Sequence, residues 1–285
     1  MARITIVGAG ITELAISSTL SRNHKITIVA KNLPGDEPTL EWASPWVGAN
    51  FVAGYCSLPS DRRMQRDAFT ELWRLATRCP ESSVRKTPME EVEFVPNVRF
   101  LSKEELPQGA KGGVTYMTIV LNPHIFLPCL KLSLESTGVK FKRMNLASLH
   151  EAHHLGRDVL INASGLGPKE LLDVKDPNML FLKGQTIVIK SDYNKSFMRD
   201  GGKDYTYVIP RLDGTVILGA IKDPDISVNE SLPGHFSANP ADSAIISHNI
   251  GIRPYRSNGM RIEKELKNGQ KIVHAYDKSS MAVTA

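Results

Sequence analysis

The chain has 285 residues, a hydrophobic content of 41%, a charged content of 23% and a formal net charge of +5. That length suits about two domains at roughly 150 residues each, and the composition is ordinary for a globular protein. No apolar stretch reaches the roughly 18 residues that a membrane span needs, and the positive charge is dispersed, its densest cluster being Arg62, Arg63 and Arg66, with no nucleic-acid motif beside it.

Ile4-Thr5-Ile6-Val7 is an apolar, β-branched run that ends at Gly8-Ala9-Gly10, and Leu14, Ala15, Ile16 and Leu20 continue at helical spacing. A buried strand, a glycine turn and a helix opening at the turn make a dinucleotide-binding start. Glycine lets backbone approach a pyrophosphate, and the helix N-terminus offers unpaired N–H groups and a positive dipole end. Gly8, Ala9, Gly10, Ile11 and Thr12 are the candidate contacts. Taken alone, the same residues also make an ordinary tight strand–helix turn. The third glycine of the fingerprint is replaced by Glu13. It adds bulk and is expected to put a negative charge near the phosphate site. The segment lacks the basic start and small-residue cleavage site of a signal peptide.

Lys25-Ile26-Thr27-Ile28-Val29-Ala30 follows as a second strand, so the opening reads β-α-β. Such a strand commonly ends in an acid that holds the ribose hydroxyls, roughly 20 residues beyond the glycines. This one ends in Ala30-Lys31-Asn32, and Lys31 suits a phosphate or an adenine face instead. Residues 31–60 are rich in Pro, Gly and Trp and read as a long ordered loop. Residues 61–78 read as a helix with Phe69, Leu72, Trp73 and Leu75 on one face. Residues 80–120 are mixed, with strand-like patches at Val92–Phe94 and Val114–Val120. Asn122-Pro123 opens a helix that runs to about Thr137, and Gly138 is its stop.

Val139-Lys140-Phe141-Lys142 alternates like a strand, and Asp158–Ala163 is another buried strand. Ser164-Gly165-Leu166-Gly167 after it again offers backbone to a cofactor, or simply turns the chain. The β-rich runs 185–190 and 205–221 are split by Pro210-Arg211-Leu212-Asp213-Gly214, a hairpin signal. Residues 222–248 are polar, with a short helix expected after Pro240, and a loop, a short strand and the strand Lys271–Tyr276 complete the reading. Cys56, Cys79 and Cys129 share no metal-type spacing and fit free thiols in a reducing compartment.

Two dinucleotide-type segments flank one block, and a β-rich block follows the second. The expected class is α/β: a Rossmann-like cofactor domain with an inserted antiparallel-sheet substrate domain. Residues 1–50, 139–185 and 257–285 are assigned to the first, and 51–138 and 186–256 to the second.

Seven stretches then match one family in order. They are Leu33-Pro34-Gly35-Asp36 with Ala43-Ser44-Pro45-Trp46-Val47-Gly48-Ala49-Asn50, Asn162–Gly167, Lys183-Gly184-Gln185-Thr186, Tyr207–Pro210, Gly214–Gly219, Gly251-Ile252-Arg253-Pro254-Tyr255-Arg256, and Ile272–Tyr276. The chain resembles the FAD-dependent D-amino acid oxidases, including the D-aspartate oxidases. The resemblance implies FAD as cofactor, with Ser44, Val47, Gly48, Ala49 and Asn50 running past the flavin and Ser164 and Gly165 on the second cofactor strand. It implies that Arg253 grips the substrate carboxylate through a two-pronged, charge-assisted contact. Tyr207 hydrogen-bonds that carboxylate or walls the pocket. The implied reaction is oxidation of a D-amino acid by oxygen to a 2-oxo acid, ammonia and hydrogen peroxide, and no general base is nominated. The implied partners are the D-amino acid and oxygen, without nucleic acid or membrane, and a homodimer stays open. A cytoplasmic or peroxisomal setting is expected, although Ala-Val-Thr-Ala is not a Ser-Lys-Leu address.

The departures are equally specific. Lys31 and Asn32 stand where the family usually shows an arginine–aspartate pair near the adenine. Gly219-Ala220-Ile221-Lys222 is less glycine-rich than the family turn. The gap from Ile226 to Gly251 is short, which suggests a missing helix, and Asp277-Lys278-Ser279-Ser280-Met281 replaces glycine-rich sequence. Lys222, Arg211 and Arg256 are candidates for holding a second substrate carboxylate. Two other readings stand beside the oxidase. One is a divergent or truncated relative that keeps the fold without FAD or turnover, favoured by Glu13 and the altered C-terminus. The other is a nicotinamide-dependent dehydrogenase sharing only the β-α-β start, against which the missing acid counts.

Overall fold

The computed structural model describes residues 1–52, 59–92, 99–106, 110–155, 157–199, 206–219 and 244–276. Cys56, Phe94, Lys222, the segment just after Pro240 and residues 277–285 lie outside them. In chain order the described elements are β1 (Arg3–Val7), α1 (Ile11–Leu20), β2 (Lys25–Ala30), α2 (Pro59–Arg78), β3 (Arg85–Val92), β4 (Arg99–Phe100), β5 (Val114–Val120), α3 (Pro123–Ser136), β6 (Lys140–Arg143) and β7 (Val159–Asn162). They continue with β8 (Met179–Lys190), β9 (Ser196–Arg199), β10 (Thr206–Pro210), β11 (Thr215–Gly219), β12 (Ile245–Arg256), β13 (Arg261–Lys267) and β14 (Gln270–Tyr276).

The first sheet has the order β13-β14-β7-β1-β2-β6. β1 pairs parallel with β2 and with β7, and β6 and β14 extend the sheet in parallel, while β13 returns antiparallel along β14. β1 is therefore the strand at which the order reverses. In such sheets ligands bind beyond the C-terminal ends of the strands at that reversal, which here is Gly8. Helices α1 and α3 cover one face, packing Leu14, Leu127 and Leu134 against Ile4, Ile26 and Ile28. Leu149, Ala152 and Leu171 cover the other, against Val7, Val29 and Leu160. Covered on both faces, the central strands are mostly apolar runs, as parallel sheets favour.

The second sheet has the order β12-β8-β11-β10-β9-β3-β5-β4. Its pairs are antiparallel except β3 with β9, which is parallel. The β10–β11 hairpin forms where the sequence signals it: Gly214 has φ +87°, and Asp213 Oδ1 accepts from the Thr215 N–H at 3.0 Å.

α3 starts and stops as its sequence dictates. Asn122 Oδ1 accepts from the His124 N–H at 3.1 Å, Pro123 needs no donor partner, and Gly138 takes φ +89°. Its packing on the first sheet joins residues 123–136 to the cofactor-side core, although they fall inside the block 51–138. Conversely, β8 ladders with β12 from Met179 onward, so residues 179–185 belong to the second sheet by pairing. Sequence reading missed β3 and β12. β3 carries Pro88, which argues against a central strand, yet the β9 partner is engaged only from Met89. β12 has exposed or half-buried side chains on both faces, so no apolar alternation marks it. No helix among the described residues is long and apolar enough to cross a membrane.

Asn122 also joins the two layers, since its Nδ2 donates to Asp213 Oδ2 in the hairpin at 2.9 Å. Asn122→Ala removes the α3 cap together with this link. The expected loss is about 1–2 kcal/mol of stability, read as a lower urea midpoint; an unchanged midpoint would contradict the capping role.

Candidate functional site

The glycine turn is tight because side chains crowd it. Gly8 follows β1 with φ +109°, and a Cβ there would collide with Glu13 Oε1 and stand 3.0 Å from the Ala163 carbonyl oxygen. A Cβ on Gly10 would lie 2.7 Å from Ser44 Oγ and 3.2 Å from Glu13 Oε2. Gly10 is the N-cap of α1 and contributes no side-chain oxygen, so the first-turn donors find other partners. The Ile11 N–H donates to Ser44 Oγ at 3.1 Å. Ala9 is buried in the core and Thr12 is half-buried on the first turn.

Glu13, the third helical residue, folds its carboxyl back over the turn and is only 4% exposed. This is half of a capping box. Burial pushes the carboxyl up to about 8, against the pull of the Glu13 and Gly10 N–H groups. The expected negative charge is thus corrected: desolvation keeps Glu13 mostly neutral at pH 7, while its bulk sits where the sequence placed it. The strand–turn–helix backbone is of the kind that suits a dinucleotide diphosphate, and the Glu13 carboxyl lies against both of its glycines.

Ser164 and Gly165 stand beside this turn at the end of β7, where Gly165 takes φ +60°. They belong to a polar chain of defined direction. Ser164 Oγ donates to Asn162 Oδ1 at 2.7 Å, Asn162 Nδ2 lies 3.2 Å from His274 Nδ1, and His274 Nε2 lies 2.8 Å from Glu265 Oε2. The amide can only donate to Nδ1, so the imidazole proton sits on Nε2 and is given to Glu265. Burial holds the His274 pKa below its ordinary value despite that carboxylate, and the bond from His274 holds Glu265 low. Arg261, Tyr276, Asp176 and Arg256 continue the chain: Arg261 Nη1 and Tyr276 Oη are 2.7 Å apart, Tyr276 Oη donates to Asp176 at 2.9 Å, and Arg256 pairs with Asp176 at 2.8 Å.

Strand alternation places the other half of the site. The row Tyr207–Gly219–Thr186–Asn249 crosses four strands on one face of the second sheet, and Gly251 and Arg253 follow Asn249 on that face by the period of two. The Tyr207 ring lies over Gly219, where a Cβ would collide with it. Gly184 and Gly251 are directly paired, and a Cβ on Gly251 would come within 2.7 Å of Trp46 Cβ. Three glycines thus leave this face low, and the loop from Ser44 to Asn50 lies against it. Burial raises the Tyr207 pKa, and the charge of Arg253 works against that rise, so the two groups share one environment. Arg253 itself is exposed.

The loop is fixed at both ends. Ser44 caps α1, Arg211 Nε donates to the Gly48 carbonyl at 3.1 Å, and Ala49 exchanges backbone bonds with Leu121 at 3.3 and 3.1 Å. Val47 packs on the cluster of Phe51 and Ile119, and Asn50 Nδ2 reaches Ser196 Oγ at 3.4 Å. Asn50 therefore points toward the second sheet. Lys31, at the end of β2 beside the half-buried Asn32, is paired with Glu41 at 2.8 Å. Of the cations considered for a second carboxylate, buried Arg211 holds the loop and Arg256 holds Asp176. Sequence reading did not assign Trp46 or His274 to the site, although both stand in the quoted stretches. Glycine in the middle of β12 opposite another glycine was the signal for a close approach.

The family described as FAD dependent oxidoreductase matches residues 3–285. The chain is 30% identical to a D-amino-acid oxidase from Fusarium vanettenii over 97% of this chain and 91% of that protein. It is 28% identical to a D-aspartate oxidase from Talaromyces thermophilus over 96% and 89%. Among solved structures, a glycine oxidase from Geobacillus kaustophilus aligns with a TM-score of 0.74 at 14% identity, covering 96% of this chain and 90% of that one. An L-proline dehydrogenase from P. horikoshii aligns with a TM-score of 0.70 at 11% identity, covering 96% and 87%. These structural likenesses carry the fold, a Rossmann-like domain joined to a substrate domain.

The buried imidazole gives the fold a pH signature. Because the folded pKa of His274 is depressed, the unfolded chain takes up a proton that the folded chain refuses, and stability present above about pH 6.5 is lost as pH falls. His274→Gln should flatten that acid-side fall in urea midpoints between about pH 7.5 and 5; an identical slope in the variant would contradict the assignment of a neutral imidazole.

Proposed function

This chain belongs to the FAD dependent oxidoreductase family, and we propose that within it the protein oxidises D-amino acids to 2-oxo acids and ammonia, with oxygen reduced to hydrogen peroxide. The observation that carries the reading is that Arg253 and Tyr207 lie on one face of the second sheet, where the arginine charge opposes the rise of the phenol pKa. That face meets the loop that begins at the glycine turn. A carboxylate bound there stands between a cation and a hydroxyl donor, next to glycine backbone that admits a flat ring.

Arg253 supplies charge and orientation, because a planar guanidinium meets a carboxylate with two parallel bonds. Tyr207 supplies a hydroxyl whose burial keeps it protonated and able to donate. FAD, held by Gly8, Gly10, Ile11, Ser44, the loop from Val47 to Asn50, and Ser164 with Gly165, supplies the two-electron acceptance when bound. No proton acceptor is assigned at Cα, so the protein's part is placement of the substrate. The imino acid product takes up water to give the 2-oxo acid and ammonia. Of the three cations considered for a second carboxylate, Arg211 and Arg256 are committed to protein partners and Lys222 lies outside the described residues; the proposed substrate is a neutral D-amino acid. The D-amino-acid oxidase from Fusarium vanettenii and the D-aspartate oxidase from Talaromyces thermophilus support the class of reaction.

Arg253→Leu tests the carboxylate role. Loss of a charge-assisted bidentate contact, about 2–3 kcal/mol, corresponds to roughly a hundredfold rise in KM. Peroxide formation from D-alanine and D-methionine reads KM, and flavin absorbance per chain is expected to stay unchanged. An unaltered KM would remove Arg253 from the site.

A further inference from the structure

The glycine turn already holds an anion-type ligand, and it comes from the chain itself. Glu13 Oε1 faces Gly8 and Glu13 Oε2 faces Gly10, so the carboxyl spans the space inside the turn. The backbone N–H groups of Gly10 and Glu13 act on it. Unpaired first-turn N–H groups and the positive end of the helix are what a diphosphate uses at such a turn. A carboxyl and a phosphate oxygen therefore compete for one set of donors. The side chain is nine-tenths buried and has been taken out of water without a cationic partner, an arrangement with a cost in free energy. A glycine at this position would leave the turn open.

We propose that Glu13 is an internal competitor for the FAD diphosphate, and that FAD binds to this chain by displacing the Glu13 carboxyl from the glycine turn into water. This rests on the reading of the chain as a flavin protein and adds its regulation by protons. Buried in the turn the carboxyl keeps its proton, and once displaced into water it ionises in the ordinary carboxylate range, so binding releases a proton and affinity rises with pH until Glu13 ionises in the fold. The group titrates from about 8 in the fold, because burial disfavours its charged form. Among the described residues, the groups that meet it around the turn are the Gly8 and Gly10 backbone, the Ala163 carbonyl at the end of β7 and the Ser44 hydroxyl from the loop. Desolvation and backbone N–H groups account for the shift, with no charged residue among the causes. A pH dependence of FAD binding below about pH 8 is thereby assigned to one residue.

The test is an equilibrium titration of the apoprotein with FAD, followed by flavin fluorescence and by calorimetry, from pH 6 to pH 9.5. Wild type, Glu13→Gln and Glu13→Gly are compared, with ADP as a second probe that carries the diphosphate without the flavin. For wild type the Kd is expected to fall about tenfold per pH unit from pH 6 toward pH 8 and to level off above it, with FAD and ADP alike. Glu13→Gln, which keeps the volume and cannot ionise, is expected to show a flat profile. Glu13→Gly is expected to bind FAD at least tenfold more tightly than wild type at pH 6. Tight binding by wild type with the same flat profile as Glu13→Gln would overturn the proposal and leave the flavin reading standing. Failure of FAD to bind wild type and both variants at every pH would overturn both. The wild-type profile needs no variant to fold, so a destabilised Glu13→Gly does not remove the test.

Discussion

The loop from Ser44 to Asn50 is the constraint on which the site depends. Two sheets of different topology must hold their functional groups in register, and this loop is bonded to helix α1, which covers the first sheet, and to the second sheet. Its serine satisfies the Ile11 donor at the head of α1, and its later carbonyl and amides are held by Arg211 and by Leu121. Trp46 rests against Gly251, and Gly48 against Ile209. If the loop shifted, the glycine turn and the Arg253 face would lose their common reference. A buried arginine spent on a backbone carbonyl is consistent with that role, since an unpaired buried guanidinium would be costly.

Two buried titratable groups flank the strand ends, and the same physics governs them. Glu13 and His274 both lose their charged form to desolvation, one by keeping its proton and the other by refusing one. They differ in their partners. His274 sits in a chain of bonds whose direction is fixed from Ser164 to Glu265. Glu13 has only backbone donors and a neighbouring hydroxyl around it. The first arrangement makes a rigid edge for a ligand; the second leaves a side chain that another anion can replace. The fold of a flavin oxidoreductase is kept around a turn whose third position has changed.

Local signals carried much of the fold. The run Ile4–Val7 into Gly8, the Asn122-Pro123 cap, the Gly138 stop and the Pro210–Gly214 hairpin each act within a few residues, so sequence shows them directly. β3 and β12 were hidden, one by Pro88 and the other by the lack of an apolar face. The membership of residues 179–185 and of α3 depends on partners far along the chain, which periodicity does not report. At the site, Tyr207 and Arg253 could be named from residue type and motif, but their shared face follows only from strand register. The position of Glu13 was legible; its protonation was not, because the shift comes from burial that only the packed structure provides. Arg211 stayed one of three candidate cations for a related reason: the Gly48 carbonyl that it serves is brought to it only by the fold.

The most direct measurement is the absorption spectrum of the FAD-loaded protein without oxygen, before and after addition of a panel of D- and L-amino acids. The account predicts that the flavin bands bleach with a neutral D-amino acid and not with its L-enantiomer, and that air restores them with release of peroxide. Flavin bands that stay unchanged with every D-amino acid would contradict it.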